Sequence, residues 1–198
     1  MKIIGVTGGV GAGKTKVLSY IGEHYKCRIV RADEVAHLLY EKGQECYNKV
    51  VALLGVQILD GSGGIDKKKM AELIFGNNAL LEQVNAIVHP AVKNYILAQI
   101  AYEKERREVN YFFIEAALLI EEHYDKIVDE LWYIHSDADI RKKRLAANRQ
   151  YSAQKIEGIM KGQLGEEEFR RHCQRSILNN GNLEETYQQI KEIMGDEV

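Results

Sequence analysis

The sequence has few of the residues that build disulfide frameworks or zinc sites. Its 198 residues include only three cysteines, Cys27, Cys46 and Cys173, and these are too widely spaced to form a C-x-x-C pair. An odd set of scattered thiols is typical of a protein kept in a reducing compartment. None of the six histidines belongs to an H-E-x-x-H motif, so the sequence gives no indication of a zinc hydrolase.

Long apolar runs, internal repeats and proline-rich linkers are also absent from the sequence. No segment approaches the roughly 20 apolar residues that cross a bilayer, and the first predicted strand begins so early that it leaves no room for a signal peptide. The formal net charge of −2 gives no general attraction to nucleic acid. We therefore expect a cytoplasmic protein with no nucleic-acid or membrane partner, folded as one domain or as a core with an inserted subdomain.

Glycine, in contrast, is concentrated in one stretch that predicts a phosphate-binding loop. Residues 8–15, GGVGAGKT, match the pattern G-x-x-x-x-G-K-[ST] and lie between a short apolar strand and a helix with apolar periodicity. Such a loop points backbone N–H groups into one concavity at a helix N-terminus, where a polyphosphate binds. Lys14 is predicted to reach the outer phosphates, and Thr15 to ligate the Mg²⁺ that accompanies them. The other loop contacts are predicted at Gly9, Gly11, Ala12 and Gly13.

Acidic residues follow two of the predicted strands, at the edge where parallel sheets bind ligands. Asp33 comes just after the strand at residues 27–30, and Glu115 follows the strand at residues 111–114. Glu115 fits the pattern of a carboxylate that holds Mg²⁺ or its water shell. Asp33 has two interpretations on the local sequence: it faces the same crevice as the phosphate loop, or it caps the following helix.

The chain between about residues 34 and 108 is predicted to be helical and to form a cap over the sheet edge. It is too long for a simple crossover between strands, and a cap implies a second substrate beside the nucleotide. Asp66 is predicted to cap one helix. Pro90, the one proline, is predicted in the first turn of a long helix, which places His89 at the start of that helix.

A basic stretch after the strand at residues 131–134 predicts a mobile lid. Arg141 and Arg144 share one helical face, and Arg149 joins them if the helix breaks near residues 148–150. Arginines that close over a polyphosphate stabilise the charge that develops during phosphoryl transfer. The alternative interpretation is a pair of exposed, charged helices without a catalytic role.

Two further polar residues are each open to two interpretations. Asn179, after the predicted last strand at residues 176–178, either reads an adenine edge with its amide or serves the backbone of a turn. Glu121 either contacts a substrate or begins the next helix, where a carboxylate favours the helix dipole.

Several blocks occur in an order that resembles the dephospho-coenzyme A kinase family. They span nearly the whole chain and comprise residues 6–15, Ala32-Asp33, Ile65-Asp66, His89-Pro90, residues 118–121, Arg144-Leu145 with Arg149, Gln163-Leu164, and Ile177 with Asn179. The resemblance implies transfer of the ATP γ-phosphate to the ribose 3′-hydroxyl of dephospho-coenzyme A. The implied fold is α/β: a phosphate-loop parallel sheet flanked by helices, an inserted helical coenzyme-binding domain and a helical lid. These parts correspond to a nucleotide core (1–33, 109–138 and 174–198), the coenzyme-binding subdomain (34–108) and the lid (139–173).

The resemblance also implies roles for individual residues. Asp33 is placed to accept the hydroxyl proton, with Lys14 and the three lid arginines completing the catalytic set. Asn179 joins the loop in binding ATP. The dephospho-coenzyme A site is implied at Thr7, Asp33, His89, Leu118 and Glu121. The metal site predicted from the residue pattern is Thr15 and Glu115. The expected partners are ATP with Mg²⁺ and dephospho-coenzyme A, with the chain acting as a monomer or small homo-oligomer.

The sequence departs from the family pattern beside the expected base. The usual first aspartate of Asp-Ala-Asp is Arg31 here, the usual proline before Leu-Leu is Ala117, and a frequent acidic position is Gln174. Arg31 either lowers the pKa of Asp33 or holds a substrate phosphate. Two other functions fit the phosphate loop alone: a kinase for a different nucleoside or nucleotide, and a non-catalytic nucleotide-binding switch.

Overall fold

A five-stranded sheet forms the centre of the fold. The computed structural model describes residues 1–149 and 152–195, apart from the side chains of residues 148 and 149. The strands are β1 (Lys2–Thr7), β2 (Cys27–Arg31), β3 (Tyr111–Glu115), β4 (Glu130–His135) and β5 (Arg175–Leu178). They are ordered β2-β3-β1-β4-β5, and β1 pairs in parallel with both β3 and β4. The predicted α/β class with a parallel sheet is confirmed.

The strand order places a topological switch point at the carboxyl end of β1. The connection after β1 runs to β2 on one side of the sheet, and the connection after β3 crosses β1 to reach β4 on the other. This divergence opens the crevice where such sheets bind ligands. The strand register aligns Val6 with Glu115 of β3 and Thr7 with Tyr133 of β4. The loop that follows Thr7 therefore begins in this crevice.

Nine α-helices are found in the part of the chain that the structure describes. They are α1 (Lys14–His24), α2 (Ala32–Leu39), α3 (Glu45–Leu54), α4 (Lys67–Ile74), α5 (Asn78–Arg106), α6 (Ala138–Arg149), α7 (Ala153–Lys161), α8 (Glu166–His172) and α9 (Leu183–Met194). None of these described helices is long and apolar enough to cross a bilayer.

Apolar packing holds α1 and α9 to the sheet. The near-continuous buried residues of β1, β3 and β4 are typical of strands covered by helices on both faces. The buried cluster includes Ile4, Val6, Val17, Leu18, Ile21, Phe113, Trp132, Ile134, Ile177 and Ile190. This packing fixes the N-terminus of α1 directly after the loop that leaves β1.

The chain divides into two compact units. One comprises Met1–Val30 with Arg106–Val198, and the other comprises Arg31–Glu105. In the second unit, Asp66 caps α4 by accepting hydrogen bonds from the backbone N–H groups of Lys68 and Lys69, as predicted from the sequence. The three-part division into core, coenzyme-binding subdomain and lid stays a prediction, because it concerns what each part binds.

The helix predicted to begin at Pro90 begins much earlier. Helix α5 runs continuously from Asn78, with Pro90 inside it, so His89 lies mid-helix and not at a helix start. The buried residues Val84, Val88, Val92, Ile96 and Ile100 recur every four positions on both sides of the proline. This apolar stripe favours one continuous helix despite the backbone hydrogen bond that proline removes.

Two interpretations of how helices begin are also wrong. The segment after β3 forms turns and a short 3-10 helix (Tyr124–Lys126), so no α-helix begins at Glu121. The residue at the N-terminal boundary of α2 is Arg31, in extended conformation, so Asp33 lies inside the first turn and does not cap the helix. A carboxylate at this position still interacts favourably with the positive end of the helix dipole.

Candidate active site

The glycine-rich loop joins β1 to α1 through backbone conformations that favour glycine. Gly8, Gly11 and Gly13 have φ values of 144°, 84° and 91°. A Cβ atom at Gly8 would overlap the carbonyl oxygen of Ile134, and one at Gly13 would overlap Nδ2 of Asn179. The glycines are therefore required both for the turn and for the close approach of neighbouring strands and side chains.

The N-terminus of α1 has the chemistry of an anion site. Its first turn contains Lys14, Thr15 and Lys16 and no acidic residue, and Gly13 supplies no side-chain cap. The positive end of the helix dipole therefore favours a phosphate. Lys14 Nζ donates a hydrogen bond to the Gly8 carbonyl at 2.8 Å, which folds the ammonium over the loop. Thr15 is exposed, so its predicted role as a ligand of nucleotide-bound Mg²⁺ is compatible with its position.

Arg141 of α6 lies directly on this loop. Its Nε donates to the Val10 carbonyl at 2.9 Å, and its guanidinium occupies the space that a side chain at Gly9 would need. Gln163 Oε1 accepts from Arg141 Nη2 at 2.6 Å and from the Val10 N–H at 3.1 Å. Burial lowers the pKa of Arg141 from its ordinary value, and the nearby Tyr133 opposes that shift. The guanidinium remains a cation at neutral pH.

Arg144, one turn further along α6, reaches a buried polar group beside the loop. Its Nη1 donates to Ser136 Oγ at 3.0 Å, and its Nη2 donates to the Asn179 carbonyl at 2.9 Å. Ser136 in turn donates to the same carbonyl at 2.6 Å. The interpretation of α6 as an exposed charged helix therefore fits Lys142 and Lys143, which are exposed, and does not fit these two arginines.

The buried side-chain amide of Asn179 holds the phosphate loop by a hydrogen bond to its backbone. Its Nδ2 donates to the Ala12 carbonyl at 2.7 Å, and its Oδ1 accepts from Thr186 Oγ1 at 3.2 Å. Only 2% of Asn179 is exposed. These contacts give the amide a structural role that neither sequence interpretation included, and its contact with adenine stays a prediction.

Replacing Thr186 with valine is expected to destabilise the fold by about 1–3 kcal/mol, because Asn179 Oδ1 loses its buried donor. Thr7 offers a matched control, since both threonines are at most 1% exposed and, among the residues that the structure describes, the Thr7 hydroxyl has no hydrogen-bond partner. Thr7→Val should therefore leave the midpoint of urea unfolding unchanged or raise it. Equal midpoints for the two variants would contradict this role of Thr186.

The other predicted site residues of this unit lie near the carboxyl edge of the sheet or follow it. Glu115 ends β3 beside Val6. Leu118 is 41% exposed in the following turn, where its apolar surface is open to a ligand, and Glu121 is also exposed. Arg149 ends α6, and its side chain lies outside the described part of the structure. Its predicted role is therefore untested.

Asp33 and His89 belong to the second unit. Asp33 is exposed in the first turn of α2, and the neighbouring Arg31 pairs through Nη1 with Glu34 Oε1 at 3.3 Å. His89 is partly exposed within α5. Their approach to the phosphate loop stays a prediction.

The donor set at the loop fits Mg²⁺ bound together with a nucleotide. The described residues contain no group of three or more His, Cys, Asp or Glu side chains placed to hold a metal ion. Mg²⁺ at phosphoryl-transfer sites needs no such group, because it keeps waters and takes one or two protein oxygens plus substrate phosphates. Thr15 and Glu115 are the predicted protein contributors.

Comparison with known proteins identifies the family. A model of the dephospho-CoA kinase family matches residues 2–185. The chain belongs to this family. The dephospho-CoA kinase of Aquifex aeolicus is 34% identical over 193 residues, which cover 98% of this chain and 96% of that protein. That of Fusobacterium nucleatum is 32% identical over 189 residues, or 96% and 95% of the two chains.

Solved structures show the same fold. A protein from Thermus thermophilus superposes with a TM-score of 0.82 at 23% identity, covering 100% of this chain and 98% of its own. The dephospho-CoA kinase of Campylobacter jejuni gives 0.71 at 20% identity, with coverages of 98% and 96%. The family match and the two relatives above show that the activity is that of a dephospho-CoA kinase, which catalyses an ATP-dependent step of coenzyme A biosynthesis.

Three residues that hold the loop, directly or through Asn179, have no role predicted from the sequence. Ser136 follows a predicted strand, Gln163 lies within a family block, and Thr186 is in the last helix. For Ser136 and Gln163 the sequence does indicate a functional position, because one follows a predicted strand and the other lies within a family block. Thr186 gave no signal, because a threonine inside an amphipathic helix is usually a surface residue.

Proposed function

We propose that residues 8–15 hold the polyphosphate of ATP while Lys14, Arg141 and Arg144 stabilise the charge on the γ-phosphate during its transfer to dephospho-coenzyme A. The observation that carries this assignment is the convergence of two arginines from α6 on the phosphate loop. Both are bound through carbonyl, hydroxyl and amide oxygens. Because these acceptors are neutral, the two positive charges remain available to an anion.

The chemical step is an in-line displacement. The ribose 3′-oxygen of dephospho-coenzyme A forms a bond to the γ-phosphorus as the bond from that phosphorus to the β,γ-bridging oxygen breaks, which releases ADP. We assign Asp33 as the base that accepts the 3′-hydroxyl proton, and His89, Leu118 and Glu121 as contacts to the acceptor. Thr7 is also predicted from the sequence as a contact, but its side chain is fully buried at the end of β1. Positioning of the two substrates and electrostatic stabilisation account for most of the rate.

When Mg²⁺ is bound, it neutralises charge on the β- and γ-phosphates. Thr15 would hold it through its hydroxyl and Glu115 through its carboxylate or a bound water. Asn179 remains the proposed adenine contact, and Arg149 a third lid arginine. We retain a monomer or small homo-oligomer as the working assembly. The cytoplasm is the proposed location, where the three free thiols stay reduced.

The direct test is an acceptor panel with purified protein, ATP and Mg²⁺. Dephospho-coenzyme A should give a product that is one phosphate heavier by mass spectrometry, and ³¹P NMR should place the new phosphate on the 3′-oxygen. Adenosine, cytidine monophosphate and shikimate should give none. Turnover of another acceptor in preference to dephospho-coenzyme A, or ATP binding without transfer to any acceptor, would overturn the proposal.

A further inference from the structure

Gln163 is placed where the segment between two lid helices meets the phosphate loop. It lies between Lys161, the last residue of α7, and Glu166, the first residue of α8. Its side chain is partly buried. Although 153 positions separate it from Val10 in the sequence, its amide oxygen contacts the Val10 backbone directly.

That oxygen closes a ring of three hydrogen bonds. It accepts from the Val10 N–H at 3.1 Å and from Arg141 Nη2 at 2.6 Å, while Arg141 Nε donates to the Val10 carbonyl at 2.9 Å. The guanidinium is therefore fixed at two of its nitrogens, one by the loop backbone and one by Gln163. A long arginine side chain loses its rotamer freedom in advance when it is held in this way.

The amide is suited to hold Arg141 without cancelling its charge. A carboxylate at the same place would accept the same two hydrogen bonds but would form an ion pair with the guanidinium. The electrostatic attraction between the guanidinium and a phosphate would then be weaker. A glutamine supplies the geometry of that contact with a neutral acceptor.

We propose that Gln163 is a positioning residue for phosphoryl transfer, which holds the Arg141 guanidinium on the phosphate loop through its amide oxygen. This inference rests on the proposed role of Arg141. It assigns the segment between α7 and α8 a part in the reaction, because that segment sets the direction in which the arginine presents its charge.

A double-mutant cycle tests the inference through kcat with ATP and dephospho-coenzyme A. Gln163→Leu removes the acceptor at nearly constant size and should lower kcat about tenfold. In an Arg141→Ala background, the same change should have no further effect, since the residue acts through the arginine. Multiplicative losses in the double variant would overturn the proposal. So would wild-type kcat in Gln163→Leu.

Gln163→Glu separates positioning from a merely structural role. The variant keeps both hydrogen bonds and should unfold at the wild-type temperature, yet its kcat should fall at least as far as that of Gln163→Leu. Full activity in Gln163→Glu would contradict the argument from charge. Gln188→Leu, at an exposed position of α9 where the amide donates to Glu192, is the matched control and should retain wild-type kcat.

ATP affinity, measured by calorimetry without an acceptor, keeps this test independent of the acceptor assignment. Gln163→Leu and Arg141→Ala should each weaken ATP binding, and their effects should again not multiply. If the wild-type protein fails to phosphorylate dephospho-coenzyme A, the proposed function fails while this cycle still reports on Gln163. Unchanged ATP affinity in both single variants would overturn the inference, even if the wild-type protein phosphorylates dephospho-coenzyme A normally.

Discussion

Asp33→Asn is expected to lower kcat by about 10²- to 10⁴-fold, the range that a positioned general base contributes. The substitution keeps the size of the side chain and removes only its ability to accept a proton. Because Asp33 is exposed in the first turn of α2, its neutralisation should lower the free energy of unfolding by no more than the helix-dipole interaction contributes, about 0.3–1 kcal/mol. Steady-state kinetics with dephospho-coenzyme A, together with ATP affinity and thermal unfolding, separate these effects.

Glu34→Gln is the matched control for this prediction. Glu34 is the next residue in the same helical turn, is also exposed, and carries the same charge. Its neutralisation breaks the ion pair with Arg31, which at an exposed position contributes about 0–1 kcal/mol. The control should therefore keep most of the activity. Near-normal turnover in Asp33→Asn, or equal losses in both variants, would remove Asp33 as the base.

Arg31 makes a structural contact that neither sequence interpretation included, and those two interpretations stay predictions. It stands at the boundary between β2 and α2 in extended conformation and binds Glu34, three residues along the helix. The cation is thus engaged with the carboxylate that follows the proposed base. This local pairing stabilises the first turn of α2 and gives the departure from the usual Asp-Ala-Asp pattern a structural use.

Local patterns were sufficient to predict the strands and the phosphate loop. The apolar strand, the glycines and the following helix are contiguous in residues 2–24, so their chemistry can be read without knowing the rest of the fold. The arginines of α6 could be predicted as a pair because helical spacing puts Arg141 and Arg144 on one face. Most of their separate partners could not, because Val10, Gln163 and Asn179 come from distant loops.

Contacts over long sequence distances account for what the sequence analysis missed. Ser136 lies 124 positions from Ala12, and the amide of Asn179 lies 167 positions from the carbonyl it supports. No local period encodes such pairings. Pro90 shows the opposite failure, since a local rule predicted a helix start where the apolar stripe of α5 continues through the proline.

Gly13→Ala is expected to damage both the fold and ATP binding. Gly13 has φ 91°, and left-handed backbone costs a residue with a side chain about 1–2 kcal/mol. The new methyl group would also overlap Asn179 Nδ2, and such overpacking typically costs a further 1–3 kcal/mol. We expect a loss of about 3 kcal/mol in the free energy of unfolding. ATP affinity should fall more than tenfold, because the loop can relieve the overlap only by moving.

Gly43→Ala isolates the cost of the backbone conformation. Gly43 has a similar φ of 96°, but no atom lies within 4 Å of the position that its Cβ would take. This control should lose only about 1–2 kcal/mol and bind ATP normally. Urea unfolding and calorimetry on both variants measure the difference, which reports the contact between Gly13 and Asn179. If the two variants lose equal stability and Gly13→Ala still binds ATP, the amide of Asn179 yields without cost and does not hold the loop in place.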